Sequence, residues 1–207
     1  MTRTDAGIEP VGRIARKRDR RIRQILTTAA ELVGERGYEA VSLEDVAERL
    51  DVTKGSLYYY FPGKDELITA AIETLGDDWS ARLEQLPAGQ EGTPGQRLRA
   101  LVREHVAIAV REYPAALRLF LVPSTWPDDQ HARIKELRRR HDRVFRTVLE
   151  EGLATGEFAV RSTDATLQCM HASMSQAPEW CGALRGRARE RALDEITDTL
   201  MKLVAPA

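Results

Sequence analysis

The stretch Ser42–Leu67 reads SLEDVAERLDVTKGSLYYYFPGKDEL, with three consecutive tyrosines in its second half. Ser42 can cap a helix whose third residue, Asp45, returns the hydrogen bond, which is the capping-box pattern. After the short joint DVT, Thr53 can cap another helix, which is predicted to run to about Phe61 before a Pro-Gly pair breaks the chain. Two helices joined by so tight a turn, the second only about two turns long, are typical of a helix-turn-helix.

The three tyrosines cannot all face a core, because successive side chains of a helix lie about 100° apart. If Leu57 and Phe61 mark the buried side, Tyr58 and Tyr60 flank the core. Tyr59 then points directly away from it. The sequence therefore predicts one fully outward tyrosine on this short helix.

Gly55 and Ser56 share the outward face with Tyr59, and Lys54 stands at its N-terminal end, where the helix dipole favours an anion. Hydroxyl groups can contact phosphate oxygens or base edges, and an aromatic ring can lie on a thymine methyl group. Lys64, just past the break, can add a second phosphate contact. The pattern favours binding to double-stranded DNA, although an exposed aromatic group can also belong to a protein-binding patch.

The 207-residue chain has the composition of a globular protein, with 43% apolar and 30% charged residues and a net charge of −1. No apolar run approaches the roughly 20 residues of a membrane span. The basic N-terminal residues have no apolar stretch behind them, so we expect a cytoplasmic protein with no membrane partner.

Positive charge is concentrated in two runs. The first run, between Gly12 and Gln24, has only one acidic residue and suggests an arm that contacts phosphates. Its bases are Arg13, Arg16, Lys17, Arg18, Arg20, Arg21 and Arg23. The run Ala132–Arg146 carries regularly spaced apolar residues and is interpreted as a solvated helix face.

The residues that could carry metal or enzyme chemistry form no recognisable pattern. The two cysteines, Cys169 and Cys181, have no ligand or redox spacing. The histidines at 105, 131, 141 and 171 are scattered. The sequence contains no nucleophile elbow, phosphate-binding glycine loop or paired-carboxylate motif. We therefore expect no metal, no cofactor, no catalytic residue and no enzymatic activity.

Helix signals run along the chain, whereas alternating β-branched runs and Asn-Gly turns are absent from the sequence. An apolar stripe predicts a first helix that ends at Gly37 with a left-handed cap. Beyond the short helices, further ones are predicted at about 64–86, 96–111, 114–123, 129–155, 163–177 and 187–204. The segments Pro87–Gly95 and 178–186 are expected to separate helices. The predicted fold class is all-α, with a small three-helix unit and a larger helical body.

The quoted stretch resembles the DNA-binding domain of the tetracycline-repressor (TetR) family of bacterial transcriptional regulators. The resemblance implies a helix-turn-helix DNA-binding domain at residues 14–63 and a helical ligand-binding and dimerisation domain at residues 64–207. Two positions depart from the family pattern: Asp51 stands where Gly or Ala is common, and Tyr60 where His is frequent. The predicted DNA-binding residues are Ser42, Thr53, Lys54, Gly55, Ser56, Tyr58, Tyr59, Tyr60 and Lys64.

The resemblance also implies a homodimer that binds a palindromic operator. Its last two helices would pack as a four-helix bundle, through the stripe Leu193, Ile196, Leu200 and Leu203 and the stripe Leu167, Met170, His171 and Met174. Such stripes could equally be buried within one chain. Whether the regulator represses or activates depends on operator position and stays open.

The resemblance further implies that a small, largely apolar effector binds in the body. The candidate lining residues are His105, Tyr113, Phe120, Trp126, Met170, His171, Met174 and Trp180. The segment APEWCGALRG loosely resembles a branch of the family that responds to acyl-CoA thioesters, whose phosphates could meet Arg118, Arg138, Arg139 or Arg140. A flat metabolite is the alternative effector.

Overall fold

The computed structural model describes residues 10–89, 92–111 and 126–206, and these form eight α-helices and no strand. The helices are α1 (Pro10–Arg36), α2 (Leu43–Arg49), α3 (Lys54–Tyr58), α4 (Lys64–Gly89), α5 (Pro94–Arg111), α6 (Asp128–Ala154), α7 (Thr163–Cys181) and α8 (Gly186–Met201). The all-α prediction is confirmed. The helix predicted at 114–123 lies outside the described residues.

Local hydrogen bonds define the first three helices. α1 ends where Gly37 adopts a left-handed φ of +83° and its N–H bonds the Val33 carbonyl at 2.8 Å. Ser42 Oγ accepts the Asp45 N–H at 3.2 Å, and the Asp45 carboxylate accepts the Ser42 N–H at 2.8 Å. This reciprocal pair is the predicted capping box of α2.

The turn between α2 and α3 depends on Asp51, the only non-glycine residue with a positive φ (+52°) in the described part of the chain. Asp tolerates this geometry better than most residues, so the departure from Gly or Ala leaves the turn intact. Thr53 then caps α3, its hydroxyl accepting the Ser56 N–H at 3.3 Å. The regular helix ends at Tyr58, three residues earlier than predicted, and Tyr59 is its C-cap.

α4 connects the N-terminal unit to the body. It packs against α1, α5 and α6. α5 is the central helix of the body and touches α4, α6, α7 and α8. The buried apolar side chains of both parts form one continuous cluster.

Two predicted helix breaks are shorter than expected. α4 continues through Pro87 to Gly89, and α5 starts at Pro94, so most of the predicted Pro87–Gly95 loop is helical. α7 continues through Pro178 to Cys181 because both Ala177 and Cys181 are buried in the core. A proline in a helix removes only its own N–H donor and crowds one carbonyl, and this burial offsets that loss.

Most residues of the two apolar stripes that were predicted to form the dimer interface are buried inside the chain itself. Leu193 and Leu200 of α8 are buried in the described structure, and so are Leu167, Met170 and Met174 of α7. Ile196 is partly buried, whereas Leu203 is exposed. This outcome is the alternative that the periodicity left open: α7 and α8 turn these faces toward their own core.

Within the described ranges, no helix is both long and apolar enough to cross a membrane.

Candidate DNA-binding face and ligand cavity

α3 presents the predicted surface. The Tyr59 side chain is 77% exposed, and Gly55 and Ser56 are exposed beside it. Leu57 and Phe61 are buried and attach the helix to the core. The outward orientation expected from helical geometry is therefore confirmed, while contact with DNA stays a prediction.

The tyrosines on either side of Tyr59 differ in their surroundings. Tyr60 packs partly buried against the core and meets the Tyr59 ring edge-on, with centroids 5.2 Å apart. Tyr58 is 41% exposed and lies under the Lys54 ammonium group, 5.4 Å from its ring centroid. Tyr60 thus supports the orientation of the Tyr59 ring, and its phenol remains a predicted phosphate contact.

Two polar pairs organise the start of α3. Lys54 forms an exposed ion pair with Glu44 of α2, and the pKa of Glu44 is lowered, chiefly by its hydrogen bond with Lys54. The hydroxyl groups of Thr53 and Ser56 lie 2.8 Å apart. Because a carboxylate repels phosphate, we expect the Lys54–Glu44 pair to open when a DNA backbone approaches.

Ser42 and Lys64 already have partners in the chain. Ser42 Oγ belongs to the capping box, and Lys64 Nζ donates to the Tyr38 carbonyl at 3.1 Å and lies 4.3 Å from the Tyr38 ring centroid. An ammonium group has three donors, so one bond to a carbonyl leaves others for a phosphate. Both phosphate contacts stay predictions.

The basic N-terminal run is helical, since α1 begins at Pro10. Six of its bases are exposed, and all but Arg23 follow one another along the first turns: Arg13, Arg16, Lys17, Arg18 and Arg20. Closer to the core, Arg21 donates to Gln24 at 2.8 Å and Arg23 pairs with Asp78 of α4. The exposed part is a positive extension of α1 available to phosphates.

A cavity of about 450 Å³ opens in the body between α4, α5, α6 and α7. Its lining is mixed: Gly76, Trp79, Ser80, His105, Leu137, Arg138, His141, Asp142, Gln168, His171 and Ser175. His105 and His171 were predicted lining residues and lie in this wall. Trp79 was expected only to pack α4 against the body, and it also forms part of the wall.

His141 was missed by the sequence analysis, although a signal was present. It follows Leu137 by four residues and precedes Phe145 by four, so it lies on the apolar stripe of α6. A histidine in such a stripe faces the interior. Its meeting with histidines from α5 and α7 had no sequence signal.

The other predicted lining residues lie elsewhere. Met170 and Met174 are fully buried in the core and are not part of the cavity wall. Trp126 packs against Tyr38, with ring centroids 5.3 Å apart, and Trp180 is 63% exposed on the surface. The positions of Met170, Met174, Trp126 and Trp180 correct the prediction, because tertiary packing directs them away from this cavity. Two further candidates, Tyr113 and Phe120, lie outside the described residues.

Three histidine rings meet in the cavity wall. The His141 centroid is 4.9 Å from those of both His105 and His171, and the latter two are 6.5 Å apart. Burial lowers the pKa of all three, to about 3 for His141 and well below 6.5 for His105. Repulsion from neighbouring imidazoles also lowers the pKa of His105 and His141, whereas Arg146 has this effect on His171. For His171 the nearby Asp142 opposes the lowering of the pKa. The cluster is therefore uncharged at neutral pH.

The arginines expected to meet a phosphate differ in availability. Arg140 is engaged by Asp77 and Glu84, at 2.7 and 2.6 Å, and Arg139 lies 3.8 Å from Glu136. Arg138 lines the cavity, and its pKa is lowered by partial removal from water. Arg118 is outside the described residues. Of the three described arginines, Arg138 alone forms part of the cavity wall.

Two protein-family models match this chain. Residues 25–71 match the model described as bacterial regulatory proteins of the tetR family, and residues 91–204 match the tetracyclin repressor-like C-terminal domain. The second match alone spans more than half of the chain. The chain belongs to the TetR family of transcriptional regulators, and the resemblance of its helix-turn-helix is confirmed.

Individual relatives agree with the family assignment. The transcriptional regulator RutR of Escherichia coli K12 is 29% identical over 117 residues, 56% of this chain and 54% of RutR. The transcriptional repressor KstR of Mycolicibacterium smegmatis is 40% identical over 86 residues, 42% of this chain and 41% of KstR. The chain thus spans about half the length of these curated relatives. The described domain boundary at residues 63–64 stays a prediction.

A solved structure with the same fold is that of AibR in complex with isovaleryl coenzyme A and operator DNA. It has a TM-score of 0.69 and 19% identity, and the match covers 87% of this chain and 98% of AibR. At this identity the likeness concerns the fold.

Proposed function

We propose that the protein is a dimeric repressor that binds a palindromic operator through α3 and releases it when a small organic effector occupies the cavity. The observation that carries the proposal is the exposed Tyr59 surface on a capped, core-anchored helix. Its solvated, hydroxyl-rich composition suits the major groove of DNA.

α4 supports the coupling between effector and DNA. It begins at Lys64, just after the helix-turn-helix, and contributes Gly76, Trp79 and Ser80 to the cavity wall. Trp79 lies fifteen positions after Lys64, which is about 22 Å along the helix. A ligand that displaces the wall therefore tilts the helix that carries the DNA-binding head. To release most of the DNA it must favour the displaced state by about 5 kcal/mol.

The dimer is proposed to form through the outer faces of α7 and α8. Since the inner faces are buried in the chain, the exposed residues of α7 are the ones available, among them Cys169, Ala172, Gln176 and Trp180. Small side chains let helices approach closely, and a large exposed aromatic side chain marks a contact surface. Two-fold symmetry would place two α3 helices about one DNA turn apart and select a palindrome.

The effector is proposed to be a largely apolar molecule, with an acyl-CoA thioester as the first candidate. The AibR complex supports this choice, because that protein shares the fold and holds isovaleryl coenzyme A. The cavity has room for the acyl portion, and Arg138 in its wall can meet a phosphate. A flat metabolite is the alternative to be tested beside it.

The test begins with selection of genomic fragments by the purified protein at near-physiological salt, followed by sequencing. We expect a palindrome whose half-sites are about one helical turn apart. Fluorescence anisotropy on that palindrome should then show release by one member of an acyl-CoA and metabolite panel. No enriched fragment from a folded, ligand-free protein would contradict the proposal and favour a protein-interaction module instead.

A cavity-filling variant separates the two activities. Ser175→Phe places a large ring in the cavity wall, so we expect operator binding to persist while the effector no longer releases DNA. Tyr59→Ala is the converse control, since it should weaken DNA binding and leave effector binding intact. A reporter gene downstream of the operator distinguishes repression from activation.

A further inference from the structure

The histidine cluster contains polar atoms that the described chain leaves unsatisfied. His105 is only 2% exposed, and neither of its ring nitrogens has a hydrogen-bond partner among residues 10–89, 92–111 and 126–206. Both His171 nitrogens are also buried without a hydrogen-bond partner among the described residues. The distance from His171 Nε2 to Asp142 Oδ1 is 3.6 Å, which is longer than a hydrogen bond. Buried groups of this kind cost about 1–3 kcal/mol each, so a ligand that pairs with them is favoured.

Apolar packing holds the rings in place. The Trp79 ring lies 4.9 Å from the centroid of His105 and 5.4 Å from that of His141. Phe145 contacts all three histidines, with centroid distances of 5.1 to 5.9 Å. The cluster is therefore a preformed part of the cavity wall and not a set of mobile side chains.

The charges around the cluster do not suit a buried ion. Asp142 is the one carboxylate in the wall, and it is engaged by Arg146 at 3.0 Å. Arg138 is the one guanidinium group in the wall, and it is largely exposed at the surface. Among the described residues, no group of three or more histidines, cysteines or acids is arranged to hold a metal ion.

A neutral imidazole has one donor nitrogen and one acceptor nitrogen. A carboxylate, like a carbonyl oxygen, can only accept. Unlike a carbonyl oxygen, it carries a charge, and it loses its hydration here without a compensating charge. A hydroxyl or amide group both donates and accepts, and a carbonyl oxygen accepts from the donor nitrogens without bringing a charge.

We propose that His105 and His171, with His141 between them, form a subsite for an uncharged oxygen-bearing group of the effector and discriminate against its carboxylate form. This inference rests on the proposed function only in taking the cavity as the effector site. An ester-like or thioester carbonyl meets the requirement, whereas the free acid of the same chain does not.

The test uses three probes of equal chain length: octanamide, 1-octanol and octanoate. Binding to the full-length protein is measured by calorimetry without DNA, at about pH 8, where the acid is ionised. We expect octanamide to bind most tightly and octanoate to bind at least about tenfold more weakly. Equal or tighter binding of octanoate would overturn the proposal. So would failure of all three probes to bind the folded protein at about 1 mM.

Variants assign the preference to the ring nitrogens. His105→Phe keeps an aromatic side chain without nitrogens, and we expect it to reduce the difference between octanamide and octanoate to about twofold. His105→Gln retains a donor and an acceptor and should preserve most of the preference, which also guards against a folding defect in the first variant. His131→Phe changes an exposed histidine of α6 and serves as the matched control. An unchanged preference in His105→Phe would contradict the assignment.

The two proposals fail separately. If the protein binds no operator but prefers octanamide, the proposed repressor function is contradicted and the subsite is supported. Conversely, if a carboxylate occupies the cavity and releases the operator, the repressor function is supported and the neutral subsite is contradicted.

Discussion

In and next to α3, different side chains attach the helix to the core and form its exposed surface. Leu57 is 1% exposed and joins the helix to the core, whereas Tyr59, two residues later, is 77% exposed. Tyr60 packs edge-on against the Tyr59 ring and limits its freedom. An ordered aromatic side chain loses less entropy on binding than a mobile one, so the arrangement favours contact with a partner.

Replacement of Tyr59 by alanine should separate binding from stability. We expect Tyr59→Ala to change the free energy of unfolding by less than about 0.5 kcal/mol, because the side chain is exposed. Operator binding should weaken by about 1–3 kcal/mol for each lost contact. Urea denaturation and fluorescence anisotropy measure the two quantities. In Leu57→Ala, by contrast, a loss of about 2–5 kcal/mol in stability is expected.

At the scale of the helix, N-terminal caps stabilise α2 and α3, which are very short. α2 has seven residues and α3 five, both too short to be stable alone. The capping box at Ser42 and the Thr53 cap satisfy N–H groups that would otherwise lack partners. In addition, Asp51 sets the angle between the two helices through its left-handed backbone.

The Ser42 cap can be compared with an equivalent cap far from the proposed DNA surface. Ser162 Oγ accepts the Ala165 N–H at 3.2 Å at the start of α7. We expect Ser42→Ala and Ser162→Ala each to lower the free energy of unfolding by about 1 kcal/mol. Only Ser42→Ala should also weaken operator binding, measured by anisotropy. Equal operator affinities in the two variants would remove Ser42 from the predicted phosphate contacts.

At the scale of the whole molecule, the head and the body meet at more than α4. Trp126, just before α6, packs directly on Tyr38 of the head, whereas Gln130 of α6 donates to the hydroxyl of Thr69 on α4 at 3.1 Å. The body therefore touches the head directly as well as through the connecting helix. Movement of α6, which carries His141, is expected to reach the head along both routes.

The histidine cluster should make the fold sensitive to acid. The unfolded chain takes up protons on these rings below about pH 6.5, whereas burial lowers their pKa in the folded chain. The unfolded state then binds more protons, so stability falls as the pH decreases below 6.5, by about 1.4 kcal/mol per pH unit for each suppressed histidine. Urea denaturation at several pH values measures the slope.

His105→Phe isolates this contribution from that of the carboxylates. We expect it to reduce the slope by about one proton and to raise stability at neutral pH by about 1–3 kcal/mol, because unsatisfied nitrogens are removed. His131→Phe should leave the slope of the wild type nearly unchanged. A wild-type slope that His105→Phe does not alter would mean that His105 takes up its proton in the folded protein.

Salt dependence reports on the proposed dimer. If each protomer contributes Lys54 to a phosphate contact, Lys54→Ala removes two contacts from the complex. The slope of log K against log salt concentration should then become shallower by about 1.8, since each contact contributes about 0.9. Anisotropy over a salt series measures it. A change of half that size would indicate one bound protomer, and no change would exclude the contact.

The sequence by itself determined the helix-turn-helix, the caps at Ser42 and Thr53, the left-handed Gly37 and the outward Tyr59. These features depend on residues three or four positions apart, whose hydrogen bonds and helical phase are local. For the same reason the all-α class was predictable. The ends of α4 and α7 were not, because neither helix stops at its proline. At Pro178, burial of Ala177 and Cys181 outweighs the local signal.

Only the tertiary structure decided where the cavity lies and what it contains. His105, His141 and His171 stand on three helices, and no local spacing relates them. The contact of the three rings, their neutral state and the unsatisfied nitrogens of His105 and His171 depend on how α5, α6 and α7 pack together. The same packing turned the apolar stripes of α7 and α8 inward and left Trp180 outside. Periodicity shows that a face is apolar, but the partner that covers it is chosen by the competition among all helices for burial.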